Sequence, residues 1–495
     1  MKKTVFLIAL LLLAFSLHAS VSLITKANPE VLYDNFPRFD LEAKSDSTEY
    51  LERGFYTTRQ DVYYRYYGRD SFFDIGFRID DEHFRLVFDI DLRETLNSFY
   101  KRNYYSNIPY QFDTLNDILD LNFPRYAYGE ISFDKFYLSI GRRPISWGAG
   151  EYQTAISRDV PYLDNIWADY TTEIGSGSFT YNFVFITMNK LAIQGTYNDE
   201  ASGGYKSVAA HRVGLDFSSF RISIGELNVV YNRIPDFIDL SPFAIYHNLY
   251  QNGSNVMAYL EAEGLFDIGR YGRIRLYGEL SVDDFSLSSE GEKGKPTAFA
   301  AGGGVQWHIL DGEETVTLKE NSELYTLSSS SFAFNTGLNI SYEVWFANPY
   351  VYNRETGAGK FTVPLYTDGN TSLSDPTALY LGFKYGPNSF YQEIRADYDD
   401  RALEASLALG LLIRGNGYTI DSPYGKNAKA GDIDYNAVYT LNGERMTTVL
   451  LNAECRYLYA PGLQIEASLE AAFDTYNRKN AVTLTLGHRI DFMEL

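Results

Sequence analysis

The chain of 495 residues has a single cysteine, Cys455, so no disulfide can form within it. Beyond residue 20 no run of eighteen apolar residues occurs, which excludes a membrane-spanning helix. No Gly-x-Ser-x-Gly elbow is present. The histidines (His83, His211, His247, His308 and His488 after residue 18) are scattered and never at a metal-binding spacing. Basic charge is scarce too, 43 Lys and Arg against 64 Asp and Glu, a net charge of −21. That deficit argues against nucleic acid or bare phosphate surfaces as partners. These absences point away from an enzyme, and neither a metal nor a cofactor is expected.

The N-terminus carries Lys2 and Lys3, an apolar run from Val5 to Leu17, and then His18-Ala19. The run is short for a bilayer span and reads as a secretory signal peptide, residues 1–19, cut after Ala19. Loss of those two lysines leaves 41 basic against 64 acidic residues, a net charge of −23.

What dominates the remainder is alternation. Phe73, Ile75, Phe77 and Ile79 alternate with Asp74, Gly76, Arg78 and Asp80. Ile274, Leu276, Gly278, Leu280 and Val282 alternate with Arg273, Arg275, Tyr277, Glu279 and Ser281. Leu463, Ile465, Ala467 and Leu469 alternate with Gln464, Glu466, Ser468 and Glu470. One apolar and one charged face per strand suits lipid outside and water inside. A mean hydropathy of −0.25 fits such strands, and 42 tyrosines could furnish aromatic girdles. The fold expected is an all-β membrane protein: one antiparallel transmembrane barrel of about 18 strands (range about 16–20), with short periplasmic turns, long extracellular loops and little helix. Residues 20–58 read as an N-terminal periplasmic segment and 59–495 as the barrel. An even strand count requires Asp434 to Leu441 to be a strand, turned by Asn442-Gly443. The one helix candidate is Asp113 to Leu121.

The last strand carries Thr485, Gly487, Ile490 and Phe492, and Thr-x-Gly-x-x-Ile-x-Phe resembles the closing-strand signal of bacterial outer-membrane barrels. The resemblance implies an outer-membrane location in a Gram-negative-type (diderm) bacterium, outer-membrane lipid as surroundings and the barrel-assembly machinery as a partner. Cys455 alternates with Val449, Leu451 and Ala453 and reads as a small lipid-facing residue rather than a reactive thiol. Gly302-Gly303-Gly304 sits in a strand pattern with no helix or lysine behind it, so it reads as wall rather than phosphate loop.

One stretch stands apart: Gly141-Arg142-Arg143-Pro144-Ile145-Ser146-Trp147-Gly148-Ala149-Gly150. It reads either as a tight loop folded into the barrel mouth or as a sugar platform, with Trp stacked on a pyranose and charged groups on its hydroxyls. Gly141-Arg142, Trp147-Gly148-x-Gly150 and the following Pro161 resemble the capsule-assembly (Wzi-type) outer-membrane barrels. His211-Arg212, the strand Ser223 to Tyr231 with Glu226, Leu240-Ser241-Pro242-Phe243, and Leu276 to Asp284 extend the resemblance across about residues 125–285. The family's Trp-Gly-Pro-Gly reads Trp147-Gly148-Ala149-Gly150 here, and its Asn-Pro-Phe reads Ser241-Pro242-Phe243. The resemblance implies a non-catalytic barrel that binds and anchors capsular or other surface polysaccharide. Trp147, Tyr152, Trp167, Tyr246 and Tyr250 are the expected polysaccharide contacts. Arg142, Arg143, Arg212, Glu226, Arg273, Arg275 and Glu279 are the expected lumen charge network. The alternative is a diffusion channel or substrate-specific porin, for which a polar lumen of this size is equally suited.

Overall fold

The computed structural model describes residues 19–36, 49–52, 55–94, 106–108, 124–188, 205–241, 243–248, 253–284, 296–309, 327–328, 337–354, 357–364, 378–400, 402–415, 438–475 and 479–493. Its wall is eighteen antiparallel strands in sequential order. β1 (Ser20–Ala27, continued by Glu30–Asp34), β2 (Phe73–Asp81), β3 (Phe84–Leu92), β4 (Tyr126–Phe133), β5 (Phe136–Arg143) and β6 (Leu163–Ile174) form the first third. β7 (Gly177–Thr187), β8 (Lys206–Phe217), β9 (Phe220–Tyr231), β10 (Ser254–Asp267), β11 (Arg273–Asp284) and β12 (Ala298–His308) form the second. β13 (Gly337–Ala347), β14 (Ser389–Asp399), β15 (Leu403–Gly415), β16 (Arg445–Ala460), β17 (Leu463–Asp474) and β18 (Lys479–Asp491) complete it.

The barrel closes on β1, and β1 changes partner halfway along. Ser20 to Ala27 pairs with β2, from Ser20↔Asp80 to Ala27↔Phe73. β18 joins at Lys26↔Asp491 and Ala27↔Ile490, and after Asn28-Pro29 it is the partner that continues, from Glu30↔Gly487 to Asp34↔Thr483. Proline has no N–H to give to a ladder, so the switch sits where a donor is already missing. The edge that β2 leaves beside Glu30 is patched by Asn107, whose Oδ1 accepts from the Glu30 N–H at 2.9 Å and whose Nδ2 donates to the Asn28 carbonyl at 2.6 Å. Ser106 bridges Val31. In hydrocarbon no water could satisfy those groups.

Two sequence expectations change here. The barrel begins at Ser20, not at residue 59, so much of the supposed periplasmic segment is wall. That strand, not Asp434 to Leu441, makes the count even: Val438 to Thr440 are not extended, and residues 434–437 lie outside the described ones. The eighteenth strand escaped notice because it is split by proline and half of it alternates weakly. The expected helix at 113–121 also lies outside the described residues. The α-helix among the described residues, α1 (Arg59–Gly68), falls at the start of the stretch read as barrel.

Side chains sort by parity. On β9, Ile222 and Ile224 are exposed outward while Arg221 and Ser223 are buried inward. On β18, Leu484 and Leu486 face outward and Thr483 inward. Short turns join strands at one rim, as at Asp134-Lys135, Ser218-Ser219 and Pro461-Gly462, and that rim also holds Ser20 and Asp491. It is the periplasmic rim, and the long connections lie at the other. One periplasmic connection is long, residues 309–336, and its Leu327–Ser328 pairs in parallel with Ile145–Ser146.

The packed core is inside the barrel. α1 and residues 144–162, 348–354, 357–364 and 378–388 fold inward and bury Trp147, Tyr152, Trp345, Tyr352, Phe361, Phe383 and Tyr391 against the wall. The inward segments also bond one another: Tyr352 OH donates to the Thr154 carbonyl at 2.7 Å, and the Ser157 N–H to the Leu381 carbonyl at 2.7 Å.

Candidate functional site

The inward fold of 144–162 starts at the end of β5. Gly141 has φ of 137°, and a Cβ there would strike the backbone of Ala127 and Tyr128. Arg143 then points inward, fully buried, with its Nη1 donating to Glu130 at 2.7 Å and its guanidinium 3.9 Å from the Tyr128 ring centre. Arg142 takes the opposite face. It makes a two-pronged bond to Asp164, at 2.6 and 2.8 Å, and stacks on Tyr162. Arg142 therefore belongs to the outer rim and not to the lumen network, because neighbouring residues of a strand alternate faces.

Beyond it the segment is stitched to the far wall. The strand register sets Glu261 opposite Glu279 and Glu343 opposite Glu393. Like charges directly opposite each other destabilise a sheet unless something neutralises them. Arg212 donates to Glu261 at 2.7 Å and Arg395 to Glu393 at 2.9 Å. The loop supplies most of the remaining donors. The Glu151 N–H donates to Glu343 at 2.8 Å, the Thr154 N–H to Glu279 at 3.0 Å, and Tyr152 OH to Glu393 at 3.0 Å. Tyr277 OH also donates to Glu343. Trp147 sits beneath, its Nε1 donating to Asn182 at 2.8 Å and Arg212 lying 5.2 Å from its ring centre. Enclosure in the lumen works against ionisation of the half-exposed Glu151, yet Arg395, Arg158 and Lys384 outweigh it and hold that carboxyl below its ordinary range.

These contacts explain Trp147-Gly148-Ala149-Gly150. Gly148 has φ of 128° and lies against the Glu279 carboxylate, and Gly150 lies against Trp345 and Tyr277. Side chains at either position would hold the loop off the wall.

The aromatic residues expected to meet a polysaccharide are placed otherwise. Trp147, Tyr152 and Trp167 are 0, 3 and 1% exposed, so none offers a face to a sugar. Tyr246 lies on the outside of the barrel, and Tyr250 is outside the described residues. Residues 233–248 fold down over the outer wall of β8, β9 and β10. Tyr246 packs on His211 at 4.8 Å between ring centres, its N–H donates to Glu226 at 2.6 Å, and His247 Nδ1 meets Glu226 at 2.7 Å. Glu226 shares the outward face with His211 and Ile224, so it too leaves the lumen network. Covering it with the chain's own donors removes an unpaired carboxylate from the lipid face.

Of the expected network, the lumen holds Arg143, Arg212, Arg275, Arg273 and Glu279, with Arg273 near the periplasmic rim. It brings in partners the sequence reading passed over: Glu130, Glu261, Glu343, Glu393, and Glu263, which accepts from Arg275 at 2.6 Å. Parity could have found them. Glu261 and Glu263 alternate with Leu260 and Ala262 on β10, and counting from Arg212 puts them inside.

Among the described residues no group of three His, Cys, Asp or Glu side chains could hold a metal ion. Space remains in the lumen on the side away from Trp147. A polar cavity of about 340 Å³ lies between α1 and the inner face of β16–β18.

No family model and no curated protein matches this sequence. Solved structures do. Wzi, an outer-membrane protein involved in group 1 capsule assembly in Escherichia coli and a carbohydrate-binding β-barrel, aligns at 12% identity with a TM-score of 0.50, over 94% of this chain and 84% of that one. The outer membrane protein OprD from Pseudomonas aeruginosa aligns at 10% identity and a TM-score of 0.40, over 94% and 93%. Likeness at this level concerns the fold. The chain is an eighteen-stranded closed antiparallel barrel of the kind characteristic of Gram-negative outer membranes.

Proposed function

We propose that this barrel is a substrate-specific diffusion channel for small polar solutes. The observation that carries the reading is the docking of residues 147–158 across the lumen onto Glu279, Glu343 and Glu393, beside a cavity that stays open and polar. A fixed inward loop narrows a large barrel to the size of one solute, while the free wall keeps a wet route. Reconstitution in planar bilayers tests this. A steady conductance far below that of an open porin of equal strand number is expected, and a fully closed barrel would overturn it.

Polysaccharide anchoring, implied by the sequence resemblance, has less support. Burial of Trp147, Tyr152 and Trp167 leaves the proposed platform without an accessible ring. Glycan-array binding by purified barrel, weakened by substitutions on the extracellular loops, would restore that reading over the channel.

A further inference from the structure

Two cavities meet at one side chain. The larger, about 340 Å³, lies on the periplasmic side of Arg65 and is lined by Glu30, Asp70, Glu454, Arg456, Glu466 and Ser468 among others. The smaller, about 110 Å³, lies on the other side against Leu412, Thr448, Leu450 and Ala472. Tyr64, Arg65, Lys384 and Glu470 line both. The Arg65 guanidinium spans the junction from α1 to the wall. Its Nε donates to Glu470 at 3.1 Å, its Nη2 to Thr483 at 2.7 Å and to Asp34 at 3.4 Å, and it lies 3.4 Å from the Phe36 ring centre.

The larger chamber is acid-rich. Arg456 is shared by Glu404, Glu454 and Glu466 at 3.7, 3.8 and 3.6 Å, one cation among three carboxylates. Glu30 lines the same chamber and is 9% exposed. The chamber lining sets Glu30, Asp70, Glu454, Glu466 and Glu470 against Arg65, Arg69, Lys384 and Arg456, an acidic excess of one, and a net negative lining raises the local concentration of cations.

We propose that solute crosses this barrel between α1 and the β16–β18 wall, that Arg65 is the latch of that passage, and that the chamber carboxylates select small cations and solutes bearing an ammonium or guanidinium group. The assignment rests on the channel reading and adds its route and selectivity. Breaking a side-chain latch needs rotation about side-chain bonds and no backbone rearrangement. It also frees Glu470, while Asp34 keeps its bond to Arg69 at 2.7 Å, so opening adds one carboxylate to the passage.

The test uses the full-length protein in planar bilayers under a KCl gradient. The variants are Arg65→Gln, the pair Glu454→Gln with Glu466→Gln, and Ser468→Cys in a Cys455→Ser background. Retained heat-modifiable migration on gels confirms that each is folded. Arg65→Gln is expected to raise single-channel conductance and shift the reversal potential toward the potassium limit. The double glutamine variant is expected to shift it the other way. A water-soluble methanethiosulfonate is expected to abolish most current through Ser468→Cys. A conducting wild type that none of these changes alters overturns the route and leaves the channel reading standing. No current from any variant overturns both.

Discussion

Gly148 is pressed against Glu279 so closely that a Cβ on the glycine would collide with the carboxylate. The glycine also has φ of 128°, a backbone conformation that L side chains rarely adopt. Both constraints serve one contact, the seating of residues 147–158 on a wall that would otherwise set carboxylates against carboxylates. Gly148→Ala is therefore expected to unseat the segment at a cost of roughly 1–3 kcal/mol. Hydrogen exchange confined to 144–162 should rise while exchange in the wall stays slow. Unchanged exchange would show that the loop is held by other contacts.

The same seating has a pH dependence. Arg395, Arg158 and Lys384 overcome the enclosure of Glu151 and depress its pKa, so its ionised form favours the docked state. The stabilisation is complete above the ordinary carboxylate range and is lost as pH falls through the lower, docked-state value. Exchange in 144–162 should thus be flat from neutrality to the usual glutamate range and rise only below it. Glu151→Gln should flatten the profile. A rise centred at neutral pH would assign the titration to another group.

β1 closes the barrel by pairing with β2 through Ser20 to Ala27 and with β18 through Glu30 to Asp34. Without it β18 and β2 are both open edges at bilayer depth, which hydrocarbon does not tolerate. A chain lacking residues 20–36 but keeping residues 1–19 is expected to yield no heat-modifiable band in outer membranes. A folded band from that truncation would mean that the strand decorates a barrel already closed.

Alternation made most of this wall readable, because lipid outside and charge inside impose a period of two on each strand. It failed where another force took over. β1 is interrupted by Asn28-Pro29 and shares its length between two partners, so neither half shows a full ten-residue pattern. Glu226 and Arg142 were read as lumenal because charge was assumed to avoid lipid; both are outward and satisfied locally, by Tyr246 and His247 in one case and by Asp164 in the other. Trp147 stands among glycines in the sequence. Sequence alone left open whether its glycines bring a ligand close or bring the wall close, and the collisions at Gly148 and Gly150 are with wall.

Glu226 gives the sharpest test of the outer loop. Its two carboxylate oxygens hold the Tyr246 N–H and His247, and through them residues 233–248 are laid on the outer wall. Glu226→Leu removes those acceptors and leaves a side chain fit for lipid. The loop is expected to become cleavable by protease added to intact cells, while conductance and heat-modifiable migration stay as in the parent. Altered ion selectivity would instead return Glu226 to the lumen.

Cys455 checks the register of the wall from outside. It pairs with Ala405 and Ala467 on neighbouring strands and is exposed, five residues from the periplasmic end of β16. At roughly 3.3 Å per residue and a tilt of about 40°, that places the thiol on the order of 13 Å above the rim, inside the apolar band. A lipid-soluble maleimide is expected to label it in membranes, and a charged maleimide added from either side is not. Because a slip of one residue would turn Cys455 inward within reach of water and Arg456 out toward lipid, labelling by the charged reagent would show that β16 is misregistered, and with it the acid-rich face assigned to the lumen.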